Sequence, residues 1–119
     1  MLVLPIKKQW FEMIASGVKK EEYREIKPHY DKCLGNQVIG FPFNKTIIER
    51  FEEIKKYDPT QFKNFEVIFR NGYRKDSPKI KCKCKLKIGQ GKLEWGAEPN
   101  INYYILEILE VRNYEIPIE

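Results

Sequence analysis

Residues Gly17–Arg24, GVKKEEYR, connect a predicted helix to a predicted strand and contain two lysines, two glutamates and an arginine. Side chains alternate along a strand, so a strand leaving the turn would place Lys20, Glu22 and Arg24 on one face and Lys19 at the turn. Cations beside a carboxylate suit an anionic or strongly polar ligand, through charge and directional hydrogen bonds. The alternative interpretation is a solvated charged turn.

The first half of the chain alternates predicted strands and helices. Apolar residues at helical spacing, including Trp10 and Phe11, precede the stop at Ser16-Gly17, and Gly35 is expected to end a second, short helix. Strands are predicted over Leu2–Pro5, Lys19–Ile26 and Gln37–Phe43, and helices over Lys7–Ser16, Pro28–Leu34 and Asn44–Tyr57.

The second half is predicted to be all β. Strands are expected over Phe65–Tyr73, Ile80–Ile88 and Tyr103–Arg112, with a long loop over Gly89–Asn102. The middle strand alternates a buried face, Ile80, Cys82, Cys84, Leu86 and Ile88, with a stripe of lysines, Lys79, Lys81, Lys83, Lys85 and Lys87. The stripe either discourages edge-to-edge pairing and keeps the surface soluble, or forms a sequence-blind track for phosphates.

The order of elements predicts an α+β fold. Helices cluster early and strands late, which argues against regular βαβ winding. We expect a small, mixed, partly closed barrel of five to six strands, with two to three helices over its openings. The length of 119 residues predicts one domain, residues 1–119.

The composition predicts a soluble cytoplasmic protein. No apolar run is long enough to cross a bilayer, the N-terminus has no signal-peptide pattern, and three cysteines argue against a disulfide framework. The formal charge of +5 permits a nucleic-acid or anionic partner without requiring one. The oligomeric state is left open between a monomer and a weak dimer.

Metal and nucleophile chemistry are not supported. One residue separates Cys82 from Cys84, whereas paired zinc ligands have two to four between them, and the single histidine, His29, is far away in sequence. No phosphate loop, dinucleotide fingerprint or Gly-x-Ser-x-Gly elbow occurs. We therefore predict no metal and no cofactor.

The charged stretch also matches a family motif. Gly17-x-Lys19-x-x-Glu22-x-Arg24 fits the Gly-x-Lys-x-x-Glu-x-Arg pattern of the ASCH family, a branch of the PUA-like barrels, and the helix before it resembles the first helix of that family. Segments 69–73, FRNGY, and 94–96, EWG, resemble parts of small stand-alone and phage-type members. The resemblance spans nearly the whole chain.

The resemblance implies a PUA-like barrel whose cleft is lined by the motif and binds RNA or a nucleobase-containing ligand. Lys19 and Arg24 would meet anionic or carbonyl groups, and Glu22 would sit inside the cleft. Either Lys19 or Lys20 could face the cleft. Trp95 is a candidate for stacking on a base, or it anchors its loop. The predicted binding residues are Lys8, Lys19, Lys20, Glu22, Arg24, Arg70, Asn71, Tyr73 and Trp95.

Two functions remain open at this stage. The first is an RNA- or nucleotide-binding module. The second is a hydrolase, because one ASCH branch resembles acetylcytidine amidohydrolases and another has ribonuclease activity. Where the amidohydrolase branch carries a threonine nucleophile this chain has Glu22, which removes the hydroxyl of that covalent step. Lys20 and Glu22 are the catalytic candidates, and Glu22 with Arg24 could equally be a structural ion pair.

Overall fold

A computed structural model describes residues 2–39 and 63–114 of the chain. Two helices and five strands occur in these ranges. The strands are β1 (Leu2–Ile6), β2 (Glu21–Glu25), β3 (Phe65–Asn71), β4 (Lys79–Gln90) and β5 (Asn102–Tyr114). The helices are α1 (Lys8–Ala15) and α2 (Pro28–Ile39), and a 3-10 turn covers Leu93–Trp95.

The five strands form one mixed sheet in the order β1-β3-β4-β5-β2. β1 pairs with β3 in parallel, and the other three pairings are antiparallel. The sheet curls into a half-barrel, so the α+β class and a small barrel-like architecture are confirmed at that level. β1 and β2, which are close in sequence, become the two edges of the sheet.

The predicted end of the second helix at Gly35 is wrong. α2 continues to Ile39, so Gln37–Ile39 is helical and does not begin a strand. Leu34 and Val38 on this helix are buried in the core, and their packing outweighs the propensity cost of an interior glycine, about 1 kcal/mol. The rest of the predicted strand, residues 40–43, and the predicted helix Asn44–Tyr57 lie outside the described residues.

The alternation predicted for β4 is confirmed. Ile80, Cys82, Cys84 and Leu86 are buried in one core with residues of β1, β3, β5 and both helices. On the other face, Lys81 and Lys87 form ion pairs with glutamates of the neighbouring strands. Lys81 Nζ lies 3.6 Å from Glu66, and Lys87 Nζ lies 2.9 Å from Glu107. Cross-strand charge pairs therefore favour the surface interpretation of the stripe over a phosphate track.

A buried hydrogen bond fastens α2 to the sheet. The Tyr104 hydroxyl on β5 donates to Asp31 Oδ1 over 2.5 Å, and both residues are almost completely buried. Burial and the neighbouring carboxylate both raise the pKa of Tyr104. The described helices include none that is long and apolar enough to cross a membrane.

The loop before β5 is shorter than predicted. β4 continues through Gly89 to Gln90, and the 3-10 turn follows almost at once. Gly96 ends this turn with φ of 100°, a left-handed conformation that suits glycine. The loop folds back onto α1, where Gly96 packs so closely on Trp10 that a Cβ on Gly96 would lie 3.0 Å from the Trp10 ring.

Candidate functional site

A cleft lies at the seam between the two edge strands of the half-barrel. The pairings of the sheet make β1 and β2 run antiparallel to each other across this seam. No ladder joins them in the described sheet; instead Arg24 Nη2 on β2 donates a hydrogen bond to the Pro5 carbonyl on β1 over 2.9 Å. The cleft has a volume of about 570 Å³ and is lined by β1, β2 and the starts of both helices.

Three charged side chains form a buried chain under the cleft. Glu22 Oε1 lies 2.9 Å from Lys19 Nζ, and Glu22 Oε2 lies 2.9 Å from Arg24 Nη2. The side chains of Lys19, Glu22 and Arg24 are 1%, 8% and 13% exposed. Each carboxylate oxygen thus has its own cation, so the group acts as one ion triad.

Lys19 is the innermost member of the ion triad. Its ammonium donates to the Trp95 carbonyl over 2.6 Å and lies 4.3 Å from the centre of the Trp10 ring. Burial lowers the pKa of Lys19, and the attraction of Glu22 opposes that shift. One side chain therefore connects the start of β2 with α1 and with the loop after β4.

Arg24 is the outer member and reaches two further elements. Nη1 donates to the Tyr30 hydroxyl on α2 over 3.2 Å, while Nη2 meets Pro5 on β1. Its Nε is buried and has no hydrogen-bond partner in the described part of the chain. Arg24 therefore closes the seam through side-chain contacts in place of a strand pair.

Glu22 and Arg24 line the cleft together, but Lys20, predicted to share their face, does not. β2 begins at Glu21, where it pairs with Glu107 of β5, so Lys20 precedes the regular strand. Lys20 is exposed and lines a separate depression with Lys92 and Trp95. The side chain that joins Glu22 is that of Lys19.

The cleft collects only part of the predicted binding set. Lys8, Glu22, Arg24 and Tyr73 line it. The residues that do not are Lys19, Lys20, Arg70, Asn71 and Trp95. Lys19 is buried beneath, and Arg70 Nε is used locally, donating to the Gly72 carbonyl over 3.1 Å. Trp95 contributes its carbonyl to Lys19, and its ring lies 4.5 Å from Lys92 Nζ.

Several lining residues were not predicted from the sequence. Lys7, Trp10, Lys27, Tyr30 and Tyr103 also line the cleft. Trp10, one of the apolar residues of the predicted first helix, is only partly buried, and its ring covers the ammonium of Lys19 at the cleft wall. Lys7 and Lys27 each directly precede a helix. This shared position in the sequence could have identified them as candidate cleft residues.

Tyr23 holds the loop after β4 against β2. Its hydroxyl donates to Glu21 over 2.8 Å and accepts from the Lys92 amide over 2.9 Å. Burial raises the pKa of Tyr23. A Cβ on Gly91 would lie 2.6 Å from the Tyr23 ring, so this close approach requires a residue without a side chain.

Two of the three cysteines, Cys82 and Cys84, are buried core residues. Cys82 and Cys84 are fully buried, and burial raises the pKa of Cys82 to about 12 and also raises that of Cys84. A raised pKa disfavours the thiolate that would bind a metal or attack a substrate. Within the described ranges no group of three or more His, Cys, Asp or Glu side chains could hold a metal ion.

In comparisons with known proteins, no family model, no curated protein and no solved structure matches this chain.

Proposed function

We propose that the chain is an ASCH-type, PUA-like domain that binds RNA or a nucleotide in the cleft between β1 and β2. The observation that carries the proposal is the composition of this cleft: exposed lysines and accessible tyrosines surround a buried ion triad. Cations that meet phosphates and aromatic rings that stack on bases are the two components of single-strand recognition.

The charge of the cleft favours an anion. Glu22 and Arg24 neutralise each other. The other charged side chains that line the cleft are three lysines and two glutamates, which gives an excess of one positive charge: Lys7, Lys8, Lys27, Glu25 and Glu98. Lys7 has no ion-pair partner among the described residues. The pairs of Lys8 with Glu12, at 3.7 Å, and of Lys27 with Glu25, at 3.8 Å, are exposed and therefore weak. A phosphate can compete for both lysines.

Aromatic side chains supply the second component. Tyr73 is 84% exposed beside the cleft, so its ring is available to a ligand without any rearrangement. Tyr30 and Tyr103 are partly buried in the cleft wall. Large exposed aromatic rings are costly to leave in water, and stacking on a base would cover them.

Binding is better supported than hydrolysis. Each oxygen of Glu22 is paired with a cation at 2.9 Å, and this pairing stabilises the ionised carboxylate and disfavours its action as a general base or acid. Lys20, the other catalytic candidate, lies outside the cleft. A threonine nucleophile is absent from the motif.

Titration of a short fluorescent single-stranded RNA, with anisotropy as the readout, tests the proposal. The affinity should fall as salt rises from about 50 to 200 mM, because each phosphate contact releases counterions. A Lys7→Gln, Lys8→Gln double variant should bind more weakly and show a salt slope smaller by about 1.4, about 0.7 for each lysine that meets a phosphate. Lys20→Gln is the matched control, since it removes an exposed lysine of the same helix-turn-strand segment outside the cleft.

The outcomes separate the candidate functions. Absence of RNA and nucleotide binding at low salt would refute the proposal, as would equal weakening by Lys20→Gln and by the double variant. Incubation with single-stranded RNA and with acylated cytidine, followed by chromatography, tests for hydrolysis. Turnover that Glu22→Gln abolishes in folded protein would replace the binding module with an enzyme.

A further inference from the structure

We propose that the cleft selects guanine nucleotides, with the carboxylate of Glu98 accepting two hydrogen bonds from the guanine base. This inference rests on the proposed function and names the base that the site takes. It comes from a carboxylate in the cleft that is not used by the ion triad or by a lysine.

The Glu98 side chain lines the cleft without a partner. Of the other carboxylates that line the cleft, Glu22 is paired within the ion triad, and Glu25 lies 3.8 Å from Lys27. Among the described residues, the Glu98 carboxylate forms no ion pair and no hydrogen bond. A carboxylate has two acceptor oxygens and no donor, so it is available to a ligand that supplies hydrogen-bond donors.

The main chain holds Glu98 beside an aromatic ring. The Glu98 amide donates to the Tyr103 hydroxyl over 3.1 Å. Tyr103 is half-buried in the cleft wall, and its ring centre lies 5.7 Å from that of Tyr23 on the neighbouring strand. The cleft therefore has a supported ring and an unpaired carboxylate as neighbours, which suit the face and the edge of one base.

The loop that carries Glu98 is fixed to the rest of the domain. The Lys19 ammonium donates to the Trp95 carbonyl over 2.6 Å. Ala97 is buried, and its amide donates to the Lys92 carbonyl over 3.2 Å. The backbone of Glu98 therefore needs little ordering when a ligand binds, which lowers the free-energy cost of recognition.

Guanine is the base whose edge matches a carboxylate. Its N1–H and its exocyclic 2-amino group are adjacent donors that point in the same direction, so they can meet the two carboxylate oxygens in parallel. Adenine and cytosine each have one amino group beside a ring nitrogen that accepts, and uracil has one N–H between two carbonyls. With these bases, an acceptor would face one oxygen of Glu98 and repel it.

The cations of the cleft suit the phosphate of the same nucleotide. Lys7, Lys8 and Lys27 line the cleft together with Glu98. The volume of about 570 Å³ lies within the range of small-molecule sites, about 300–1,000 Å³, so one nucleotide can be accommodated. The lysines would attract the phosphate, and Glu98 would select the base.

Calorimetric titration of the intact chain with GMP and IMP tests this assignment, because the two nucleotides differ only in the 2-amino group of the base. We expect GMP to bind about tenfold more tightly than IMP, since a hydrogen bond to a charged group contributes at least about this factor. AMP has an acceptor at N1 where the other two have a donor, so it should bind more weakly than IMP.

Replacement of Glu98 by glutamine should abolish the preference for GMP over IMP, because the new amide keeps one acceptor and presents a donor in place of the other. Loss of the negative charge alone would tighten the binding of every nucleotide phosphate, so a selective weakening of GMP has the opposite sign from a charge effect. Glu94→Gln is the matched control, since Glu94 is an exposed glutamate of the same loop that does not line the cleft. This variant should keep the ratio of the two affinities.

The results distinguish failure of this inference from failure of the proposed function. Equal affinities for GMP and IMP, a preference for GMP that survives Glu98→Gln, or binding of RNA without binding of any mononucleotide overturns the guanine site and leaves the proposed function in place. No binding of GMP, IMP, AMP or single-stranded RNA overturns both. A preference for GMP that is lost in Glu98→Gln and kept in Glu94→Gln supports the guanine site.

Discussion

Replacement of Glu22 by glutamine should destabilise the protein strongly, because Glu22 is the only anion of the ion triad. The change keeps the shape of the side chain but leaves the ammonium of Lys19 and the guanidinium of Arg24 buried without a counterion. The new amide would also direct two donor hydrogens towards groups that are themselves donors. Neither Lys19 nor Arg24 can accept a hydrogen bond, so one of the two 2.9 Å contacts must be lost.

The size of the effect follows from burial. Removing one partner of a buried ion pair costs about 3–5 kcal/mol. We expect the lower end for Glu22→Gln, about 3 kcal/mol, because Lys19 retains the Trp95 carbonyl and Arg24 retains Pro5 and Tyr30. For a chain of 119 residues this corresponds to a fall in Tm of about 10 °C.

Urea denaturation followed by tryptophan fluorescence measures this loss. Trp10 and Trp95 both contact Lys19, so their emission reports the site directly. Glu12→Gln is the matched control: Glu12 is 62% exposed in a pair with Lys8, and its loss should cost no more than about 0.5 kcal/mol. A loss below about 1 kcal/mol for Glu22→Gln would refute the assignment of a buried ion triad.

The pH dependence gives a second test of the same perturbation. Burial holds the pKa of Lys19 in the folded protein below its usual 10.5. Between these two pKa values the unfolded chain binds more protons than the folded one. The contribution of Lys19 to the free energy of unfolding therefore rises with pH across that window. Without Glu22 the pKa of Lys19 falls further, and the rise begins at lower pH. The deficit of Glu22→Gln relative to the wild type should therefore shrink as the pH rises towards 10.5.

Three further changes probe the framework of the site. Gly91→Ala should lower the free energy of unfolding by about 1–3 kcal/mol, because its Cβ would collide with Tyr23, whereas Gly89→Ala, with 3.9 Å to its nearest side-chain atom, should cost less in the same urea titration. Tyr104→Phe should cost about 1–3 kcal/mol by removing the donor to Asp31, and an unchanged Tm would contradict that estimate. The Cys82 thiol should react with a thiol reagent at about pH 8 only after denaturant is added, since its pKa is raised to about 12; rapid labelling of native protein at Cys82 would contradict its burial.

Local patterns predicted much of the described fold. The strict alternation around Cys82 and Cys84 determined which face of β4 is buried, because side chains alternate whatever the strand pairs with. The stop of α1 at Ser16-Gly17 was also local, since Gly17 has φ of 84°, where a residue with a Cβ is strained. Gly35 gave a similar local signal, but the helix end predicted there was wrong, because packing of Leu34 and Val38 in the core continues the helix through Gly35.

For the candidate site, the sequence predicted which residues take part better than it predicted where their side chains point. The sequence by itself determined that Lys19, Glu22 and Arg24 stand together after a helix. Only the tertiary structure decided that Lys19 points inward, because Lys19 lies in the turn before β2, where the alternation of the strand does not apply, and its ammonium reaches Glu22 and the Trp95 carbonyl. The cleft is also tertiary: the strand order places β1 and β2 at opposite edges, and the curl of the sheet brings Pro5 back to Arg24. Contacts between segments that are distant in sequence determine both features, and no local sequence pattern contains them.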